Sequence, residues 1–339
     1  MPNPVYTVGV NLDIKPFRIG DVAIGLPVVL APLAGYSDLA FRTICRQMGC
    51  DYCTAEMVLD RCVTMRSKQR PAILATGEDD HPLGGQLIGN DPAEMSRAGE
   101  SLCRRGFDVV DLNFACPVNK AMKRSRGGRL MNQPDLAVEI VRAVVAVCDR
   151  PVTLKVRQKF FDEPGLDSEE HFWKIAEGAR QAGAAGITVH ARSVEQKYTG
   201  QADWDFLKRV KARFPDWTVI GSGDVWTPCD ALRMLSETGV DAASVARGAI
   251  GNPWFFRQVR DIIAGRELYQ PDLAEQRRVL LAHTAGAVEL YGPLKGPRIM
   301  RKWGIKYARM HPHPKQLRMA FVATKTPQDI QTVIDQYYP

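Results

Sequence analysis

The sequence predicts a closed parallel (β/α)8 barrel of the TIM type followed by an all-helical C-terminal domain. Three observations predict it. Short, continuously apolar, β-rich runs recur, and each is followed by a longer helical pattern, which is how strands buried on both faces read. The residues at the carboxyl ends of those runs are small, amide-bearing or cationic, as expected where a barrel gathers its chemistry. No GxGxxG follows the first run, which weighs against an open doubly wound sheet. The chain has 339 residues, more than the about 250 a barrel commonly uses, so an appendage is expected.

Taken in order, the first strand is Val28–Pro32 and leads into Pro32-Leu33-Ala34; the second, Tyr52–Met57, carries Glu56 near its end. Gly84–Ile88 presents Gln86, and Val109–Asn113 delivers Asn113 with Cys116 just beyond it. Val152–Arg157 ends in Lys155 and Arg157, and Gly186–His190 in His190 with Arg192 following. Thr218–Ser222 leads into Ser222-Gly223-Asp224, and Ala242–Ala246 into Ala246-Arg247-Gly248. Helical patterns at Asp38–Met48, Pro92–Arg104, Pro134–Ala146, Glu169–Ala182, Trp204–Phe214 and Pro228–Ser236 connect them. The pattern stops near Gly265, giving a catalytic domain over 1–265. Pro271-Asp272 then opens a helical tail, giving a second domain over 266–339.

In a barrel these strand ends converge on one mouth. The set is poor in paired carboxylates, which argues against glycoside hydrolysis, and it lacks metal-ligand spacing, so no metal is expected. A large planar cofactor carrying a phosphate fits it. Gly221-Ser222-Gly223-Asp224 and Arg247-Gly248 follow the seventh and eighth strands, where barrels commonly hold phosphate. Lys155 is hard to place in a core without a partner, and a cation there suits negative charge on a reduced flavin ring. Cys116, with an ordinary thiol pKa near 8.5, is mostly protonated at neutral pH and can serve as an acid.

Eight cysteines are spread over the chain and read as reduced thiols. Cys50 and Cys53 form a CxxC pair at the entrance of a strand, where positions three apart point to opposite faces, so neither metal nor redox chemistry is expected of them. No apolar run approaches the roughly 18 residues of a membrane span, and the start lacks a basic n-region with an apolar h-region. A cytoplasmic monomer without membrane contact is expected.

The net charge of +7 matters chiefly through its distribution. Asn119 to Arg129 holds five basic residues and no acid, and Leu290 to Met319 holds eight and no acid. Two uniformly basic blocks suit a phosphate backbone. In the second, Arg298, Lys302, Lys306 and Arg309 share one side of a helix. Ile299, Trp303, Tyr307 and Met310 share a neighbouring side, so one stripe can pack while the other meets a ligand.

The chain resembles the tRNA-dihydrouridine synthases. The resemblance runs from about Val28 to the basic helix near Arg309. It rests on the order and spacing of Ala31-Pro32-Leu33-Ala34-Gly35-Tyr36-Ser37-Asp38, Thr54-Ala55-Glu56-Met57, Gln86-Leu87-Ile88-Gly89, Asp111-Leu112-Asn113-Phe114-Ala115-Cys116-Pro117, Leu154-Lys155-Val156-Arg157, Val189-His190-Ala191-Arg192, Gly223-Asp224 and Arg247-Gly248-Ala249. It implies an FMN-bearing barrel, a helical tRNA-binding domain, and NADPH-dependent reduction of a D-loop uridine in tRNA to 5,6-dihydrouridine. On the matching positions it implies FMN contacts from Pro32, Leu33, Ala34, Gln86, Lys155, His190, Ser222, Gly223, Asp224, Ala246 and Arg247. It makes Cys116 the proton donor to C5 and sets Asn113 and Arg157 near the uracil. Leu33, Ala115, Ala191, Ser222 and Ala246 depart from the family's commonest residues. A flavin barrel acting on a free pyrimidine, and a tRNA-binding protein without chemistry, are the rival readings; the first needs neither basic block.

Overall fold

In the computed structural model, which describes residues 14–65, 70–162 and 169–339, a short hairpin precedes the barrel. Its strands β1 (Phe17–Ile19) and β2 (Val22–Ile24) pair antiparallel across a two-residue turn, and Gly20 takes the left-handed conformation that the turn requires. The eight barrel strands are then β3 (Val28–Leu30), β4 (Cys53–Thr54), β6 (Leu83–Ile88), β7 (Val109–Asn113), β8 (Val152–Arg157), β9 (Gly186–His190), β10 (Thr218–Ser222) and β11 (Ala242–Val245). All pair in parallel with their neighbours, and β11 closes on β3 through Ala243↔Val28. A further short strand, β5 (Val58–Leu59), pairs with the end of β6. The structure is thus a parallel (β/α)8 barrel with a C-terminal helical region.

Helices follow the strands around the outside: Leu39–Gln47, Pro92–Cys103, Pro134–Val145, Glu170–Gln181, Trp204–Arg213, Pro228–Thr238 and Phe255–Ile263. Their starts are set by side chains that accept otherwise unpaired first-turn amides. Asp38 takes the Phe41 N–H, Asp91 that of Glu94, and Asp203 that of Phe206. Thr227 and Asp230 form a reciprocal pair at the start of Pro228–Thr238. Apolar side chains such as Met95, Ile140, Phe172, Phe206 and Leu232 turn inward into the barrel core.

The four central strands β7 to β10 have the predicted limits. The second strand is a correction. Tyr52–Met57 is not continuous, because pairing stops after Thr54 and resumes only at Val58. Between them Glu56 accepts the Gly35 amide at 2.8 Å, tying this segment across to the loop after β3. The thiols are a second correction: Cys50 and Cys53 do not diverge. Cys50 lies before β4 and its Sγ approaches that of Cys53 to 3.6 Å, both fully buried.

The tail comprises helices Leu273–Tyr291, Lys295–Tyr307, Pro314–Ala323 and Pro327–Tyr337. The predicted apolar stripe packs: Trp303 and Tyr307 are buried and Ile299 and Met310 partly so. Trp303 lies 4.4 Å from the ring of Phe41 on the first barrel helix, and the Tyr291 hydroxyl donates to Asp38 at 2.9 Å. One hydrophobic core runs without a break from the barrel helices into the tail. Among the described residues no helix is long and apolar enough to cross a membrane.

Candidate active site

The parallel register puts the polar strand ends side by side. Gln86 is opposite Asp111, Asn113 opposite Lys155, Arg157 opposite His190, and His190 opposite Ser222. Side chains alternate along each strand, so Asp111 and Asn113, and likewise Thr153, Lys155 and Arg157, point the same way. The result is a cavity of about 420 Å³ at the carboxyl ends of the strands, a size typical of small-molecule sites. Its walls include Pro32, Leu33, Ala34, Gln86, Asn113, Cys116, Lys155, Arg157, His190, Ser222, Gly223, Asp224, Ala246 and Arg247. Every barrel residue that the sequence marks as catalytic, cofactor-binding or uracil-binding therefore lines one cavity.

A hydrogen-bonded relay sets the geometry of its thiol. Thr153 donates to one Asp111 oxygen at 2.8 Å, and Gln86 Nε2 to the other at 2.6 Å. Asn113 Nδ2 donates to Gln86 Oε1 at 2.7 Å, and Asn113 Oδ1 accepts the Ala115 and Cys116 amides at 3.1 and 2.9 Å. The orientation of both amide side chains is thereby fixed, and the loop carrying Cys116 hangs from β7. Gly127 and Gly128 press on the same loop, where the Gly128 amide donates to the Cys116 carbonyl at 2.9 Å. Burial pushes the Cys116 thiol above its ordinary range, against smaller pulls from a backbone amide at Val118 and from Arg157.

Lys155 reaches toward Ser222 Oγ at 3.5 Å. Burial lowers its pKa to about 8, with Asp111 beneath it acting in the other direction and Arg157 reinforcing the drop. His190 is held neutral, by burial first and then by Arg157, Lys155, Arg192 and Arg247 around it. Its Nδ1 lies 3.4 Å from Ser222 Oγ, and its buried Nε2 has no partner. Arg157 is braced by the carbonyls of Ala115, Ser193 and Lys197 at 2.9, 2.8 and 2.7 Å. Asp224 lines the cavity, but Arg192 donates to both its oxygens at 2.7 Å, so it shapes the loop after β10.

Several lining residues carry no mark in the sequence. Tyr198 and Trp226 stand exposed at the rim with Arg247 between them, its guanidinium 5.2 and 4.1 Å from their ring centroids. Behind the cavity wall, Asp111 and Arg192 lie inside the family motifs, and their hydrogen bonds to Gln86, Thr153 and Asp224 give them a role that spacing does not reveal. The tail stripe is divided. Arg298, Lys306 and Arg309 are exposed and Lys302 is half-buried; of the four, Lys302 donates to the Gly35 carbonyl and Arg309 to that of Gly248 at 2.5 Å. Among the described residues no cluster of three or more His, Cys, Asp or Glu is arranged to hold a metal ion.

The chain is 33% identical over 323 residues to tRNA-dihydrouridine synthase B of Shewanella oneidensis, covering 95% of this chain and 98% of that one. It is 31% identical over 322 residues to tRNA-dihydrouridine synthase B of Escherichia coli K12, with the same coverage. Among solved structures, histamine dehydrogenase from Rhizobium sp. 4-9 matches at TM-score 0.59 and 16% identity, over 81% of this chain and 51% of that one. Morphinone reductase in complex with tetrahydroNAD matches at 0.54 and 17%, over 76% and 92%; at such identities these two speak for the fold alone. The family model described as "Dihydrouridine synthase (Dus)" matches residues 29–338, and the chain belongs to that family.

Proposed function

We propose that this protein is a tRNA-dihydrouridine synthase that reduces the C5=C6 bond of a D-loop uridine, with FMN as cofactor and NADPH as electron donor. The observation that carries the reading is the meeting in one cavity of a protonated thiol, Cys116, a fixed amide pair, Gln86 and Asn113, and a half-buried cation, Lys155. Bound FMN, reduced by NADPH, supplies the hydride for C6.

The residues present fit such a cofactor. His190 Nε2 is a buried polar atom without a protein partner, and buried polar atoms are seldom left so. Pro32, Leu33 and Ala34 offer an apolar wall for a planar ring. Gln86 supplies amide atoms, and Ser222, Gly223, Ala246 and Arg247 lie where a phosphate sits in many barrels. Lys155 stabilises negative charge at the ring. Asp224 acts from behind, through Arg192.

Asn113 and Arg157 orient the uracil beside the thiol, and Cys116 Sγ–H donates its proton to C5. Arg298 and Lys306, with the Asn119–Arg129 loop, meet phosphates, the electrostatic contribution that offsets the cost of extracting a base from folded RNA. The tail over 266–339 is the tRNA-docking region of a cytoplasmic enzyme whose barrel, 1–265, holds the cofactor. Mapping dihydrouridine in tRNA from cells with and without this gene tests the reaction. Loss of the modification at defined D-loop positions is expected, and an unchanged map would overturn the assignment.

A further inference from the structure

The two stripe residues that touch the barrel touch it at informative places. Gly35 sits with positive φ at the tip of the loop after β3, the loop that supplies Leu33, Ala34 and Tyr36 to the cavity wall. Both of its peptide groups are held: the N–H by Glu56 at 2.8 Å and the carbonyl by the ammonium of Lys302. That ammonium also lies 3.9 Å from the Tyr36 ring centroid, and Tyr36 in turn packs edge-on against Trp303 at 5.2 Å. The loop itself is a closed turn, with the Tyr36 and Ser37 amides both donating to the Leu33 carbonyl. On the far side of the β11–β3 seam, Arg309 holds the Gly248 carbonyl at 2.5 Å, next to Arg247 on the cavity wall.

Lys302 is half-buried, and a cation removed from water needs compensation. A carbonyl, an aromatic face and the nearby carboxylates of Asp38 and Glu56 supply part of it, although burial still lowers the pKa of Lys302. A cation so engaged has little left to offer a phosphate on an RNA surface.

We propose that Lys302 and Arg309 are positioning residues of the cofactor site, by which the Lys295–Tyr307 helix and the turn after it clamp the two cavity loops on either side of the β11–β3 seam. The tail is then part of the cofactor pocket as well as a docking surface; Arg298 and Lys306, exposed and without a barrel contact, are left wholly to tRNA phosphates, while Arg309 is exposed but holds the barrel. This rests on the flavin reading above.

The test is FMN titration of apoprotein, followed by flavin fluorescence, for wild type, Lys302→Met, Arg309→Met, Lys302→Arg and the Arg298→Ala/Lys306→Ala double variant. Methionine keeps an apolar stem and removes the charged donor. Each methionine variant should weaken FMN binding by about tenfold, the scale of one missing charged hydrogen bond. At saturating FMN it should also change the visible circular dichroism of the bound flavin, which a merely destabilised tail does not do. Lys302→Arg should recover most of the affinity. The double variant should bind FMN as wild type does and flatten the salt dependence of tRNA binding. Methionine variants with wild-type FMN affinity and dichroism overturn the clamp. So does a Lys302→Arg variant as impaired as Lys302→Met. Wild-type apoprotein that takes up no FMN brings down the flavin reading itself, a result distinct from the other two.

Discussion

At Cys116 the surroundings decide between an acid and a nucleophile. The thiol is pushed above its ordinary range, Arg157 is braced through Nε and Nη1 by three carbonyls, and the imidazole across the cavity is neutral and close to Ser222. No group in that set takes a proton from sulfur, so the thiol stays protonated, as the proposed role requires. Cys116→Ala should therefore retain FMN and be reduced by NADPH at the normal rate, while dihydrouridine formation falls by about 10²–10⁴-fold. Equal loss of flavin reduction in stopped-flow traces would remove Cys116 from this role. Lys155 supplies a pH signature. With its pKa lowered to about 8, it carries its charge below that value and sheds it above. Flavin reduction by NADPH should decline as pH rises through about 8, and Lys155→Met should erase that step. The lowered folded value also means that the unfolded chain holds this proton more tightly. Its contribution to apoprotein stability thus rises with pH between about 8 and 10.5.

Among the elements, the Lys295–Tyr307 helix has little room to change. A Cβ on Gly304 would run into the ring of Phe321 on Pro314–Ala323, and one on Gly296 into the backbone of the preceding helix. Gly304→Val should cost about 1–3 kcal/mol by overpacking, read as a lower denaturant midpoint; an unchanged midpoint would mean that the helix pair is loosely packed. Elements of this kind are legible in the sequence to different degrees. Strands β7 to β10 have clean limits because each is an apolar run bounded by turn residues. The second strand misleads, since nothing local reports that Glu56 is drawn across to Gly35. The three-residue strands β1 and β2 are too short to give a periodic signal. Cys50 and Cys53 mislead because a strand's two-sided alternation does not extend to a residue in the turn before it. For the site, strand-end chemistry locates the cavity wall. The rim aromatics Tyr198 and Trp226 sit on loops, where no periodicity marks a residue's direction. Nor does spacing tell which of four cations will meet a carbonyl of the barrel, or that the expected single helix ends at Tyr307 and leaves Arg309 in the turn after it.

In the whole molecule, barrel and tail share one core. Cutting the chain after Gly265 would expose Phe41 and remove Trp303 and His283, which stack around it. A chain ending there should lose the cooperative thermal transition of the full protein, as judged by calorimetry; an intact, two-state barrel would show the tail to be dispensable for folding. RNA binding belongs to this scale too. Removing Arg298 and Lys306 together should flatten the plot of log affinity against log salt by about 0.7–0.9 for each phosphate left without its cation. A slope equal to that of wild type would make these residues ordinary solvated surface.

The hairpin ahead of the barrel bears on the order of events. Phe17, Ile19 and Ile24 pack with Val29, Tyr52, Val109 and Ile220 into a second apolar cluster that stoppers the amino-terminal end. A vessel stoppered at its base is filled and emptied from above. Under the proposed reaction, nicotinamide and uridine would both have to enter the cavity through the same opening, and they would take turns. Oxidised nicotinamide has to depart before the RNA base descends. Initial rates measured against one reactant at several fixed concentrations of the other should give parallel double-reciprocal lines. Lines that converge would require both to be aboard at once, and hence a second way in.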